Sequence, residues 1–259
     1  MKISILVPTL GQRKKEIERL LSSIEVQNYK DIEVVIVSQD NYEIVDKIIR
    51  NYIELNIIHI KTEIRGLSKA RNLGLENCTG EIVVLSDDDC WYPQNAFEII
   101  SKAFEKRKNA RIILSQIFDP DKKVLYKSYN SSESYINNKL QLMSKSSIEV
   151  AFKKDLLLCE KFDERFGLGS EFVCGEEVDF LLNNFEKNKL YYIPKITVYH
   201  KKKADGSSNR QVIAKGAIYG KNFNLFICLL VLLRDFIIKK EKNFEYFFEG
   251  YNEYFKRKN

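Results

Sequence analysis

The sequence predicts an α/β protein whose central, mostly parallel sheet is flanked by helices. Three observations lead there. Short apolar runs alternate with segments of helical period through the first hundred residues, and repeated strand and helix units fold as parallel sheets covered on both faces. The run Ile82-Val83-Val84-Leu85, opened by Gly80, is β-branched and apolar throughout, as expected of a strand buried on both sides. Three consecutive carboxylates, Asp87, Asp88 and Asp89, follow that run directly. They emerge at the carboxyl end of a strand, the edge where open α/β sheets bind ligands.

Taken in order, Ile3 to Pro8 reads as the first strand. Lys14 to Gln27 reads as a helix with Ile17, Leu20, Leu21 and Ile24 on one face, and Ile32 to Ser38 as the second strand. A helix near Tyr42 to Tyr52, a strand near Asn56 to Ile60 and a helix near Leu67 to Glu76 lead to the strand before the acids. Pro93 suits the first turn of a helix carrying Phe97, Ile100 and Phe104 inward. Ala110 to Gln116 reads as a strand, Asp119 to Lys123 as a turn, and Val124 to Tyr129 as its hairpin partner. The polar stretch from Asn130 to Lys139 has no clear period, and variable substrate loops sit in such stretches.

Beyond the block from Ser147 to Phe166 and the turn Gly167-Leu168-Gly169-Ser170, helical spacing returns at Val178, Leu181, Leu182 and Phe185. Glu176 and Glu177 then fall in the first turn, where the helix dipole tolerates negative charge. Leu190 to His200 reads as two short strands broken by Pro194, followed by Lys201, Lys202, Lys203 and a polar loop. Phe223 to Ile238 is the most apolar segment, yet Asn224, Arg234 and Asp235 keep it short of the roughly 20 apolar residues of a membrane span. Packing in the core or self-association is one reading. Lying at a bilayer surface, with Lys239, Lys240 and Lys242 beside it, is the other.

With 259 residues and 44% hydrophobic content the chain can bury one substantial core. The net charge of +6 comes from 42 basic against 36 acidic residues, an excess that permits phosphate-bearing ligands without demanding them. Nucleic acid is not expected as a partner. Five scattered cysteines without CxxC spacing argue against a disulfide framework or structural zinc, and the strand-like start at Ile3 leaves no room for a signal peptide. A cytoplasmic location is expected, including a peripheral one at the inner face of the cell membrane.

Like charges packed as closely as Asp87, Asp88 and Asp89 call for a cation. Oxygen ligands suit Mg2+ or Mn2+, which commonly bridge carboxylates to substrate phosphates. The competing reading is a solvated acidic turn before the next helix.

The order of several short motifs resembles the family 2 glycosyltransferases with a GT-A fold. They are Ile3-Ser4-Ile5-Leu6-Val7-Pro8-Thr9, Gly66-Leu67-Ser68-Lys69-Ala70-Arg71-Asn72-Leu73-Gly74, Leu85-Ser86-Asp87-Asp88-Asp89, Phe162-Asp163-Glu164 and Gly175-Glu176-Glu177-Val178-Asp179. The resemblance covers about residues 1 to 200. It implies metal-dependent, inverting transfer of a sugar from a nucleotide diphosphate sugar to a hydroxyl of a saccharide or lipid-linked saccharide, in bacterial surface polysaccharide or glycolipid assembly. It also implies a GT-A domain over residues 1–205, with a nucleotide-binding half near 1–117 and an acceptor half near 118–205, and a helical extension over 206–259.

Carried onto this chain, the resemblance assigns Pro8, Thr9, Arg71 and Asn72 to the nucleotide or diphosphate, and Asp87 to the ribose or the metal. Asp88, with Asp89 next, is the expected ligand of Mn2+ or Mg2+, and His200 a further metal or diphosphate contact. Glu177 is the expected catalytic base, with Glu176 and Asp179 its nearest competitors. Where relatives often have Asp-Asp-Gly-Ser after the second strand, this chain has Ser38-Gln39-Asp40-Asn41, so Gln39 or Asp40 would contact the base. A sugar nucleotidyltransferase and a non-catalytic nucleotide-sugar-binding or membrane-scaffold protein are the alternatives. Gly11-Gln12-Arg13-Lys14-Lys15 is a weak likeness of the phosphate loop the first of these would carry.

Overall fold

A computed structural model describes residues 1–202, 206, 208–235, 237 and 244–256. Lys203, Ile238, Lys239, Lys240 and Lys242 lie outside the described residues.

The first half follows the expected alternation. Strand β1 (Ile3–Thr9), helix α1 (Lys14–Glu25), β2 (Ile32–Ser38), α2 (Tyr42–Ile49), β3 (Asn56–Lys61), α3 (Leu67–Asn77) and β4 (Ile82–Leu85) come in order, then α4 (Ala96–Lys106) and β5 (Ile112–Asp119). The second half is less regular. It comprises β6 (Val124–Leu125), β7 (Ser134–Tyr135), β8 (Val150–Lys153), α5 (Glu176–Asn183), β9 (Leu190–Tyr199), α6 (Asn209–Asn222), α7 (Leu225–Arg234) and α8 (Phe244–Lys256).

Among the described residues these strands form one sheet in the order β3-β2-β1-β4-β8-β5-β9-β7, with β6 on β5. The strands from β3 to β4 are parallel, β8 runs antiparallel to both its neighbours, and β5 and β9 are parallel. Side chains alternate across the sheet, so β1 sends Ile3, Ile5 and Val7 to one face and Leu6 to the other. The first face packs on Ile17, Leu20, Phe97 and Phe104 of α1 and α4. The second packs on α3 and α5 and, from beyond the expected boundary at 205, on Ala214, Ala217 and Ile218 of α6 and Tyr254 of α8.

Two local differences have physical reasons. Pro194 does not break the last strand, because β9 is continuous and the proline falls where its register with β5 shifts between Leu114 and Gln116. A bulge needs no ladder hydrogen bond from the proline nitrogen. The ambiguous stretch from Asn130 contains the short edge strand β7, paired to Tyr191 and Tyr192. On the outside, α7 leaves Phe226, Leu229, Leu230 and Leu233 exposed. No helix among the described residues is long and apolar enough to cross a membrane.

Candidate active site

β1 and β4 are adjacent and parallel, with Leu6 opposite Leu85, so Pro8, Thr9 and the three aspartates leave the sheet at one edge. Thr9 Oγ1 donates to Asp88 Oδ2 at 2.6 Å. Arg13, just before α1, spans the other two oxygens, its Nη1 lying 3.2 Å from Asp88 Oδ1 and 2.5 Å from Asp89 Oδ2. Burial raises the Asp88 carboxyl above its ordinary range, and Thr9 and Arg13 only partly offset this.

His200, at the end of β9, approaches the same acids from the opposite side of the site. Its Nδ1 lies 2.7 Å from the Lys201 carbonyl and its Nε2 3.1 Å from Asp89 Oδ1. The Nε2 contact is at hydrogen-bond distance, and a tautomer with its proton on Nδ1, donated to that carbonyl, would free the Nε2 lone pair for a cation. Adjacent ligands of an octahedral ion with bonds of about 2.1 Å lie roughly 3 Å apart, so the spacing of Asp89 and His200 fits a hard divalent cation. In the fold as it stands, no three His, Cys, Asp or Glu side chains among the described residues form a ready metal cluster. Arg13 supplies the positive charge there.

Arg71 lies behind the acids rather than in the open cleft. It is fully buried, with Nη2 on Asp87 Oδ1 at 3.0 Å and Nη1 on Glu176 Oε1 at 2.8 Å. Burial opposes its charge, but Glu176, then Asp87 and Glu177, outweigh that and raise its pKa. The arginine thus ties the end of β4 to the start of α5. Its own helix can approach because position 74 is glycine: a Cβ there would lie 2.2 Å from Leu6 Cδ1.

Glu177 follows Glu176 on α5 and is only partly buried. No cation among the described residues forms an ion pair with it. Desolvation, then the charge of Glu176, push its carboxyl up to about 8. The turn before it depends on Gly175, which has φ +92° and touches α6 so closely that a Cβ would sit 2.0 Å from Ile218 Cδ1.

These groups line two cavities that share a wall. The larger, about 340 Å³, is bounded by Pro8, Thr9, Arg13, Gln39, Asp88 and Asp89. The smaller, about 250 Å³, is bounded by Ser147, Glu176, Glu177, His200 and Gln211. Asp87 and Leu168 line both. Leu168 belongs to the loop after Phe166, whose carbonyl accepts from Ser68 Oγ at 2.6 Å, while the Leu168 carbonyl accepts from Leu67 N at 2.9 Å.

Besides Arg71, three expected site residues line neither cavity. Asn72 clamps Phe162 by a pair of hydrogen bonds, 3.0 Å to its carbonyl and 2.7 Å from its amide. Asp179 is fully buried and bonded to Lys221 Nζ at 2.7 Å, because it faces α6 rather than the cleft. Asp40 is held by Arg65 Nη2 at 2.8 Å beside the larger cavity, which Arg65 itself lines. Gln39 stays in the wall, its Oε1 accepting from Gly66 N at 2.7 Å. Sequence reasoning did not single out Arg13, Ser147 or Gln211 for the site. Of these only Arg13, in the basic run after the first strand, carries a signal in the sequence.

The family model for Glycosyl transferase family 2 matches residues 4–157. Glycosyltransferase GlyA of Streptococcus pneumoniae is 35% identical over 103 residues, which make up 39% of this chain and 15% of that protein. The GalNAc(5)-diNAcBac-PP-undecaprenol beta-1,3-glucosyltransferase of Campylobacter jejuni is 30% identical over 204 residues, 75% of this chain and 62% of that protein. The chain therefore spans less than two thirds of either curated relative. The crystal structure of S. aureus TarS 1-349 in complex with UDP-GlcNAc superposes with a TM-score of 0.70 at 18% identity, covering 86% of this chain and 66% of that one. At that identity the likeness is one of fold, the GT-A fold.

Proposed function

The chain belongs to glycosyl transferase family 2, and from that premise we propose that it moves a sugar from a nucleoside diphosphate sugar to a hydroxyl of a saccharide or lipid-linked saccharide, with inversion at the anomeric carbon. The observation that carries this reading is the meeting of two cavities at Asp87, one walled by Asp88 and Asp89 and the other by Glu177. A displacement needs such a junction, with the leaving group on one side and the attacking hydroxyl on the other.

In this reading the nucleotide lies along Pro8, Thr9 and Gln39, with Asp87 turned to the ribose or the metal and fixed there by Arg71. Asp88, Asp89 and His200 are the residues that would hold Mn2+ or Mg2+, whose charge offsets that gained by the departing diphosphate. The acceptor hydroxyl attacks the anomeric carbon as its bond to the diphosphate oxygen breaks. Its proton passes to Glu177, which the raised pKa makes a stronger base than an ordinary carboxylate. Glu176, neutralised by Arg71, orients the start of α5.

The relatives' names support a setting in bacterial surface polysaccharide or glycolipid assembly, and the undecaprenol-linked acceptor in the name of the Campylobacter protein favours a lipid-linked saccharide. The test is a thermal-shift screen of UDP- and GDP-sugars with Mn2+, since a donor that binds only the native state raises its melting temperature. The donor found in this way should yield a glycosylated product by mass spectrometry. Nucleotidyl transfer to a sugar phosphate, or no shift with any donor, would contradict the assignment.

A further inference from the structure

We propose that a recess beside the catalytic cavity binds an anionic group, a phosphate or a carboxylate, carried on a saccharide or polyol unit of the acceptor. The recess measures about 250 Å³ and is lined by Lys127, Tyr129, Gln141, Ser144, Lys145 and Tyr192. The Tyr129 and Tyr192 rings lie nearly parallel, 5° apart with centroids 6.4 Å from each other. Lys145 Nζ sits over both, 5.9 Å and 5.1 Å from their centres.

The charges in this recess do not cancel. Lys127 Nζ is committed to Glu149 Oε1 at 2.8 Å and to Ser146 Oγ at 3.0 Å. Lys145 is partly buried and its Nζ, among the described residues, has neither a hydrogen bond nor an ion pair; its contacts are with the two ring faces. Two ammonium groups thus stand against one carboxylate. Burial lowers the Lys145 pKa, the Glu149 charge opposes this, and the neighbouring Lys127 adds to it. Desolvating an unpaired ammonium is unfavourable, and an anion entering the recess relieves that cost. The aromatic faces beside it, with the amide of Gln141 and the hydroxyl of Ser144, give the apolar and polar surfaces that a sugar or polyol needs.

The link to the acceptor comes from the chain itself. Ser144 and Lys145 line the recess, whereas Ser146 and Ser147 line the catalytic cavity. Ser147 Oγ lies 3.5 Å from Asp87 Oδ2. Two residues of extended chain span at most about 7 Å, so the backbone bordering the recess and that bordering the catalytic cavity are no further apart than this. Only the identification of the ligand as acceptor rests on the glycosyl-transfer reading; the anion site itself does not.

The experiment is calorimetric titration of the whole chain with glycerol 1-phosphate, with glucuronate and with neutral glucose, in wild type, Lys145→Met and Lys145→Arg. At least one anion is expected to bind wild type about tenfold or more tightly than glucose. That preference should vanish in Lys145→Met and persist in Lys145→Arg, and the anion that binds identifies phosphate or carboxylate as the recognised group. Lys145→Met should melt no lower than wild type. Equal binding of anions and glucose, or an undiminished preference in Lys145→Met, would overturn the proposal. If no donor is turned over at all, the glycosyl-transfer reading fails while the titration still decides the anion site.

Discussion

Two acidic clusters face one cleft and are neutralised in opposite ways. At the end of β4, Asp87 pairs with Arg71, Asp88 and Asp89 share Arg13, and Asp89 also meets His200. At the start of α5, Glu176 takes the other arm of Arg71, but Glu177, one residue on, has no such partner among the described residues and is pushed up in pKa. Carboxylates with a cation alongside can hold a metal or an ordered ligand, and burial nonetheless raises Asp88 among them. An uncompensated one in a partly dry site is poised to accept a proton. In the proposed reaction one buried arginine therefore divides the work between neighbouring acids, and each substitution below blurs or sharpens that division.

The largest effect is expected at Arg71. Removing it leaves the buried Glu176 without its cation and the partly exposed Asp87 without its partner, and breaking a buried pair such as Arg71–Glu176 costs about 3–5 kcal/mol. For a chain of this length Arg71→Ala should lower the melting temperature by on the order of 10 °C, measured by calorimetry or circular dichroism. A loss of only a degree or two would mean that the two clusters are not joined through this residue.

Next in size is the pH dependence of Glu177. Its folded pKa is raised above the unfolded value of about 4.3. The stability it contributes is fully present below that unfolded value and is lost as pH rises through the folded one. Glu177→Gln should accordingly match wild type in melting temperature at acid pH and exceed it increasingly as pH rises. In wild type, kcat/KM should climb with pH on a limb well above 4.3, and the variant should lack that limb. Identical melting curves across the range would show Glu177 to be as well compensated as its neighbours.

Arg13 gives the smallest change. It is half-exposed, so its ion pairs contribute little to stability, and Arg13→Ala should melt within about 1 kcal/mol of wild type. Because its guanidinium covers the oxygens proposed to meet the metal, the variant should bind Mn2+ severalfold more tightly without donor, followed by calorimetry. Weaker Mn2+ binding would instead make Arg13 a support of the metal site.

The sequence was most legible where local periodicity decides structure. The elements from β1 to β4 lie within a few residues of their expected bounds, since strand alternation and helical spacing are set by the chain's own neighbours. It was least legible where distant segments meet. Pro194 continues β9 only because β5 allows a bulge beside it. Arg71 and Asn72 are adjacent in the motif but point about 100° apart on a helix, so one reaches the acids and the other holds Phe162. Arg13 meets acids some 75 residues away, and Gln211 reaches the smaller cavity from the helical extension. No local pattern announces either contact.

The most direct test compares Asp88→Asn with Glu177→Gln in parallel, measuring donor affinity by calorimetry with Mn2+ and sugar transfer in single-turnover reactions. Asp88→Asn is expected to lose the Mn2+-dependent part of donor binding. Glu177→Gln is expected to keep donor affinity while transfer falls by a factor on the order of 10² or more. If Glu177→Gln turned over near the wild-type rate, or if both variants lost binding alike, the division between a binding cluster and a proton-accepting one would be contradicted.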